Sequence, residues 1–154
     1  MSEPERLGET RRWLRFARED LSAAERTVER REVPRHACFL SQQAAEKTVK
    51  AALIFLQVEF PYRHDLGLLR TYLPDGWLLK ENPADLDDLS QWAVEGRYPG
   101  SSKEASEDDA RAAVGLASEA YEAALEDLER YGYDPDGGEG RQEAAEADDE
   151  EENN

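Results

Sequence analysis

The sequence contains a single cysteine, Cys38, among its 154 residues. This excludes an internal disulfide and any zinc site built from several cysteines, and it is typical of proteins in a reducing cytoplasm. Long apolar runs are also missing, since the longest, from Ala51 to Leu56, has six residues. Such a run is too short to cross a bilayer, and the acidic residues 1–5 lack the apolar stretch of a signal peptide. We therefore expect a cytoplasmic protein.

Positive charge is scarce, because 19 Lys and Arg stand against 36 Asp and Glu, for a formal net charge of -17. This surplus argues against a general nucleic-acid coat and leaves room only for a local basic cleft. Ten of the acidic residues lie in 134–154, a segment without aromatic or branched aliphatic side chains. Because it has nothing to bury, we interpret 134–154 as a disordered acidic tail that follows a single domain at 1–133.

Apolar residues recur at helical spacing through most of that domain. The first helix carries a narrow apolar stripe formed by Leu7, Leu14, Ala17, Leu21, Ala24 and Val28. The second, roughly Arg35 to Gln57, is apolar nearly all round, which is typical of the central helix of a domain.

The second half of the domain predicts shorter pieces and one more long helix. A short helix begins near His64, another follows Asn82-Pro83 and closes at Gly96, and the last runs from a capping box at Ser106 to a stop at Gly132. Burying all the stripes predicts an all-α protein, an up-and-down bundle of four to five helices. The alanine-rich seams leave a thin core, which favours a dimer.

Four polar residues on the central helix could form a binding strip. Gln43, Glu46, Lys47 and Lys50 are spaced i, i+3, i+4 and i+7, so they share one side of the helix. Two ammonium groups there could hold a phosphate or a nucleotide. The simpler reading, which the residues alone favour, is an i, i+4 ion pair between Glu46 and Lys50 on a solvated face.

Two loop segments add further candidates. His64 and Asp65 stand at the start of a short helix, where the histidine could act as a base or either residue could cap the helix. A metal site formed by these two residues and His36 is a weaker alternative, because no paired histidine spacing supports it. Arg97 and Tyr98 could supply a phosphate fork and a stacking face, or could simply pin their loop to the bundle. Glycine-rich phosphate loops are missing, and Cys38 is interpreted as an inert core thiol.

Three motifs in order resemble the HEPN domain family (higher eukaryotes and prokaryotes nucleotide-binding). They are Ala37-Cys38-Phe39-Leu40-Ser41-Gln42-Gln43-Ala44-Ala45-Glu46-Lys47-Thr48-Val49-Lys50-Ala51, then His64-Asp65-Leu66, then Arg97-Tyr98-Pro99. The resemblance covers about residues 10 to 131. It implies a helical bundle, usually a homodimer, that is often paired with a minimal nucleotidyltransferase as toxin and antitoxin.

The resemblance also raises the polar residues above to site candidates and leads to one function hypothesis. Nucleotide or phosphate binding is assigned to Gln43, Lys47, Lys50, His64, Asp65, Arg97 and Tyr98. No metal and no cofactor other than a nucleotide is expected, and the protein is predicted to be a non-catalytic partner of the nucleotidyltransferase.

Two alternatives remain open. Some HEPN proteins are metal-independent ribonucleases that use an arginine and a histidine four to six residues apart. Arg97 has no histidine after it, whereas Arg30 and Arg31 precede His36 at permitted distances in a segment interrupted by Pro34. A ribonuclease toxin using Arg31 and His36 is therefore the enzymatic alternative. The other is a plain dimeric interaction module.

Overall fold

A computed structural model describes residues 1–82, 85–93 and 104–137, which form helices and connections without a strand. Of the helices in these described residues, three are long and three are single turns or little more. The six are α1 (Glu3–Glu29), α2 (Pro34–Phe55), α3 (Leu66–Thr71), α4 (Leu78–Glu81), α5 (Asp87–Ser90) and α6 (Glu107–Arg130). The prediction of an all-α bundle is confirmed. None of the described helices is long and apolar enough to cross a membrane.

Helix α1 begins at a capping box that the sequence analysis did not single out. The Ser2 hydroxyl accepts the Glu5 amide, and the Glu5 carboxylate accepts the Ser2 amide, so two otherwise unpaired backbone donors are satisfied. The predicted stripe faces inward. The two residues at its ends, Leu7 and Val28, are partly buried. The four between them are buried: Leu14, Ala17, Leu21 and Ala24.

Helix α2 is central, as predicted from its nearly continuous apolar surface, and it packs against both other long helices. Contacts between chain ends fix the helix directions. Arg6, at the start of α1, donates to the carbonyl of Phe55 at the end of α2, so these helices are antiparallel. The Phe55 ring also meets the Tyr133 ring edge-on just beyond α6, with centroids 6.3 Å apart, so α2 and α6 run parallel.

The connection between α2 and α6 differs from the prediction. We expected one helix from Pro83 to Gly96. Both of those ends lie outside the described residues, and residues 85–93 contain only the four-residue α5. A turn of helix, α4, precedes this segment. Buried groups from elsewhere stabilise these pieces. The carboxylate of Asp127 on α6, which is fully buried, accepts the amides of Leu78 and Leu79 at 2.8 and 2.9 Å and caps α4.

Helix α6 begins and ends where the sequence predicts. Ser106 and Asp109 form the expected capping box, and Gly132 follows the helix with a φ of +97°, a left-handed conformation that favours glycine. The buried residues of α6 are mostly alanines, as the prediction of a thin core requires. Residues 134–137 are exposed or partly exposed, and the rest of the expected tail, 138–154, lies outside the described residues.

Candidate functional site

A buried carboxylate, Glu46, organises the polar residues of α2. Its neighbours one turn away on each side point at it: Gln42 Nε2 donates at 2.9 Å and Lys50 Nζ at 2.7 Å. His64 Nδ1 lies 2.9 Å from both carboxylate oxygens. We call Gln42, Glu46, Lys50 and His64 the Glu46 cluster. Three partners on one carboxylate make it a fixed hub rather than a mobile surface side chain.

The loop after α2 brings His64 to this hub. Helix α2 ends at Phe55, and Gln57 turns the chain with a φ of 55°. Asp65 then caps α3, since its carboxylate accepts the Leu68 amide at 3.1 Å. The capping interpretation of Asp65 is therefore confirmed. Because both ends of the loop are fixed by helix termini, His64 is held over the middle of α2.

Two aromatic rings flank the ammonium group of Lys50. The Trp13 ring of α1 lies 6.0 Å from Nζ, and the Tyr62 ring of the loop lies 5.2 Å from it. Both distances suit cation–π attraction. The two rings differ in their exposure to solvent. Trp13 is partly buried against the core, whereas Tyr62 is 92% exposed.

Burial and hydrogen bonding act in opposite directions on Glu46. Burial raises the pKa of its carboxyl group, but hydrogen bonds from Lys50, His64 and Gln42 together outweigh burial and lower the pKa below the ordinary 4.5. Glu46 is therefore ionised at neutral pH. A carboxylate facing Nδ1 holds the proton of a neutral imidazole on that nitrogen, which leaves Nε2 as the reactive atom.

His64 is the exposed member of the cluster. Its side chain is 55% exposed, against 5% for that of Glu46. Among the residues that the structure describes, Nε2 has no hydrogen-bond partner. The site can therefore present one oriented imidazole nitrogen to a ligand, next to an exposed phenol ring.

The remaining α2 candidates take separate partners. Lys47 forms an ion pair with Asp20 of α1, and Gln43 Nε2 donates to the side-chain oxygen Oε1 of Gln42 at 2.7 Å. The two ammonium groups of α2 are thus each paired with a carboxylate of the chain. Gln43 joins the Glu46 cluster through Gln42, while Lys47 lies beside it.

Other predicted residues lie elsewhere. His36 is in the first turn of α2, ten residues or about 15 Å along the helix from Glu46. Arg31 precedes that helix with a φ of 52° and is exposed. Arg97 and Tyr98 lie outside the described residues, so their roles stay predictions. The described residues contain no group of three or more His, Cys, Asp or Glu that could hold a metal ion. Cys38 is buried and, as the single cysteine of the sequence, forms no disulfide within the chain.

Four residues at the site were not predicted from the sequence to belong to it. They are Trp13, Asp20, Gln42 and Tyr62. Gln42 could have been found, since it stands four residues before Glu46 on the same helix face. Tyr62 had a weaker signal, an aromatic residue two positions before His64. The two α1 residues had none, because their nearness depends on how α1 packs against α2.

The fold and the site together describe a small all-α domain, in which the central helix buries a carboxylate beside a histidine of the following loop. Residues 10–128 match the HEPN domain family, and the chain belongs to that family. It is also similar to TT1696 from Thermus thermophilus, whose crystal structure superimposes with a TM-score of 0.64 at 25% identity. That match covers 77% of this chain and 98% of the other. No curated protein matches the chain.

Proposed function

We propose that this HEPN protein binds a nucleotide through its phosphate at the exposed edge of the Glu46 cluster. The observation that carries the proposal is the bond between His64 Nδ1 and the buried Glu46 carboxylate, which leaves the other ring nitrogen, Nε2, of a half-exposed side chain for a ligand. When the imidazole is protonated, both ring nitrogens are donors, so Nδ1 donates to Glu46 while Nε2 donates a charge-assisted hydrogen bond to a phosphate oxygen. The Tyr62 ring, 6.4 Å from the His64 ring between centroids, offers a face on which a base can stack.

The lysines serve the proposed site in a different way from the one expected. Lys50 is bound to Glu46, and Lys47 to Asp20, so neither ammonium group adds net charge. Lys50 fixes the carboxylate that positions His64. Gln43 supports Gln42, and Asp65 fixes the end of the loop. Arg97 and Tyr98 are proposed to add a phosphate fork and a second aromatic face.

Isothermal titration with ATP, GTP, AMP and inorganic phosphate tests this proposal. His64→Asn should weaken binding of all four about tenfold, because it removes a hydrogen bond worth about 1.4 kcal/mol. Tyr62→Leu should weaken the binding of the three nucleotides and leave the binding of inorganic phosphate unchanged. Arg130→Gln, an exposed cation at the end of α6, is the control and should change nothing. Absence of heat with the wild-type protein, or equal heat with His64→Asn, would contradict the proposal.

The same bond favours one second candidate, metal-independent RNA cleavage with His64 as the proton-transfer group. A histidine oriented by a carboxylate is the arrangement that general acid–base catalysis requires. Labelled single-stranded RNA should then be cut by the wild type and by His36→Ala, and not by His64→Ala. Cleavage lost with His36→Ala or Arg31→Gln alone would instead assign the activity to the arginine–histidine pair before α2.

Family membership supports two proposals about partners. We propose that the chain forms a homodimer and pairs with a minimal nucleotidyltransferase in a toxin–antitoxin system. A native mass measurement should give twice the 17.4 kDa of the chain. A nucleotidyltransferase encoded beside it should co-purify when both are expressed. A monomer that retains no partner would contradict both proposals. If the isothermal titration also gave no heat, no binding role would remain for the Glu46 cluster.

A further inference from the structure

One stretch of α1 concentrates positive charge in a protein that otherwise has little. Residues 11–18 contain four arginines and no acidic residue. At 100° per residue, Arg11, Arg12, Arg15 and Arg18 fall within an arc of about 120° on one side of the helix. We call these four residues the arginine face. Three of its side chains are largely exposed: 58% for Arg12, 65% for Arg15 and 51% for Arg18.

The ion pairs that the arginine face makes are weak. Arg12 lies 3.5 Å from Glu9, Arg15 3.9 Å from Glu19 and Arg18 3.8 Å from Glu25. Exposed pairs of this kind contribute about 0 to 1 kcal/mol, so a competing carboxylate can replace them at little cost.

The fourth arginine points to the occupant of this surface. Arg11 donates through Nη2 to the backbone carbonyl of Asp134 at 3.3 Å, and its guanidinium carbon lies 5.9 Å from the centroid of the Tyr133 ring. The chain that leaves α6 therefore passes along one end of the arginine face. The last described residue, Gly137, follows three positions later.

The segment beyond that point has the complementary charge. Residues 138–154 contain eight acidic residues and one arginine, with Asp148 to Glu152 forming an unbroken acidic run. The run begins eleven residues after Gly137, and a random coil of that length spans roughly 20 Å. The arginine face is only about 10 Å long, from the 1.5 Å rise per residue of a helix. Reach and charge both suit a contact within the same chain.

We propose that the acidic segment 138–154 docks on the arginine face of α1. The attraction is intramolecular, so the effective concentration of the segment is in the millimolar range and modest charge pairing is sufficient. The contact is electrostatic and weakens with salt, since the screening length falls from about 10 Å at 0.1 M to about 3 Å at 1 M.

Paramagnetic broadening in the full chain tests the proposal. A spin label on Ala147→Cys should broaden the amide signals of residues 11–18 at low salt, and the broadening should fade in 1 M NaCl. Cys38 is fully buried, so the label goes to the introduced thiol. The triple variant Arg12→Gln, Arg15→Gln and Arg18→Gln should abolish the effect. An equal change of charge at Arg30→Gln, Arg35→Gln and Arg63→Gln should preserve it.

Three results would overturn the inference. They are no broadening on α1 at low salt, broadening spread evenly over the surface, and broadening that persists in the triple variant. A titration with a single-stranded oligonucleotide then tests the alternative occupant of the arginine face, a nucleic acid. If the oligonucleotide shifts signals of residues 11–18 while the label does not, the arginine face serves a nucleic acid and not this segment.

Discussion

Glu46 and Lys50 form an ion pair one turn apart on α2 that is almost closed to water, with side-chain exposures of 5% and 7% and a distance of 2.7 Å. Arg15 and Glu19 have the same four-residue spacing on α1, yet both side chains are 65% exposed. The difference is the packing of α1, which places Trp13 near Lys50 and leaves Arg15 in solvent. Equal spacing in sequence therefore gives very different energetics.

Breaking the buried pair should destabilise the protein strongly. Glu46→Gln leaves Lys50 charged and buried without its anion, and we expect the free energy of unfolding to fall by about 3 kcal/mol. Urea denaturation at neutral pH measures this. Glu19→Gln, which breaks the exposed pair of equal spacing, should change it by less than about 0.5 kcal/mol. Similar losses in both variants would show that burial does not control the Glu46 interaction.

The stabilising effect of Glu46 should disappear in acid. Its folded pKa is lowered below the ordinary 4.5 because hydrogen bonds outweigh burial. The unfolded state thus binds the proton more readily, so the contribution is complete above pH 4.5 and is lost as the pH falls through the folded pKa. The difference in unfolding free energy between the wild type and Glu46→Gln should shrink below that pH. A difference that grows in acid would contradict the sign of the shift.

Removing the buried cap of α4 should also be costly. Asp127→Ala leaves the amides of Leu78 and Leu79 without their acceptor inside the protein, and we expect a loss of about 2 to 4 kcal/mol in the free energy of unfolding. Asp65→Ala, which removes the exposed cap of α3, should cost about 1 kcal/mol. Urea denaturation of both variants gives the comparison. Equal losses of unfolding free energy in the two variants would mean that burial of the capping carboxylate does not affect its contribution to stability.

Two substitutions of glycine by alanine should change the stability of the protein in opposite directions. Gly115 lies on the exposed side of α6 with nothing within 4 Å of an added Cβ, so Gly115→Ala should raise stability by about 0.5 to 1 kcal/mol. Gly132 has equal space but a φ of +97°, so Gly132→Ala should lower stability by about 1 kcal/mol. Thermal unfolding measures both. A stabilising Gly132→Ala would mean that the turn after α6 relaxes without cost.

The long helices could be predicted because their signals are local. The stripe of α1, the nearly continuous apolar surface of α2 and the capping box at Ser106 each reflect backbone and side-chain preferences within a few residues. The region after Pro61 was predicted less well. One helix from Pro83 to Gly96 was expected, yet its described part, residues 85–93, contains only the single turn α5. Helix α4 was not predicted, and it is capped by Asp127, which is 49 residues from Leu78 in sequence.

The site shows the same division. The spacing of Glu46 and Lys50 predicted their ion pair, which is confirmed, but the solvated face assumed in that reading is wrong, since both residues are buried. Lys47 and Lys50 share a helix face and still take different carboxylate partners. The spacing of residues within α2 cannot predict the partner of Lys47, because Asp20 belongs to another helix.

Local signals in the amino-acid order were enough to set where the long helices begin and end, which of their faces are apolar, and which polar residues of α2 share a side. All three follow from the helical repeat and from capping within a few residues. Packing in three dimensions settled which of those polar residues are shielded from water and which partner each one takes. Burial and ion pairing depend on distances between segments far apart in the chain, such as Trp13 and Lys50 or Glu46 and His64. Those distances exist only once α1, α2 and the following loop have packed together.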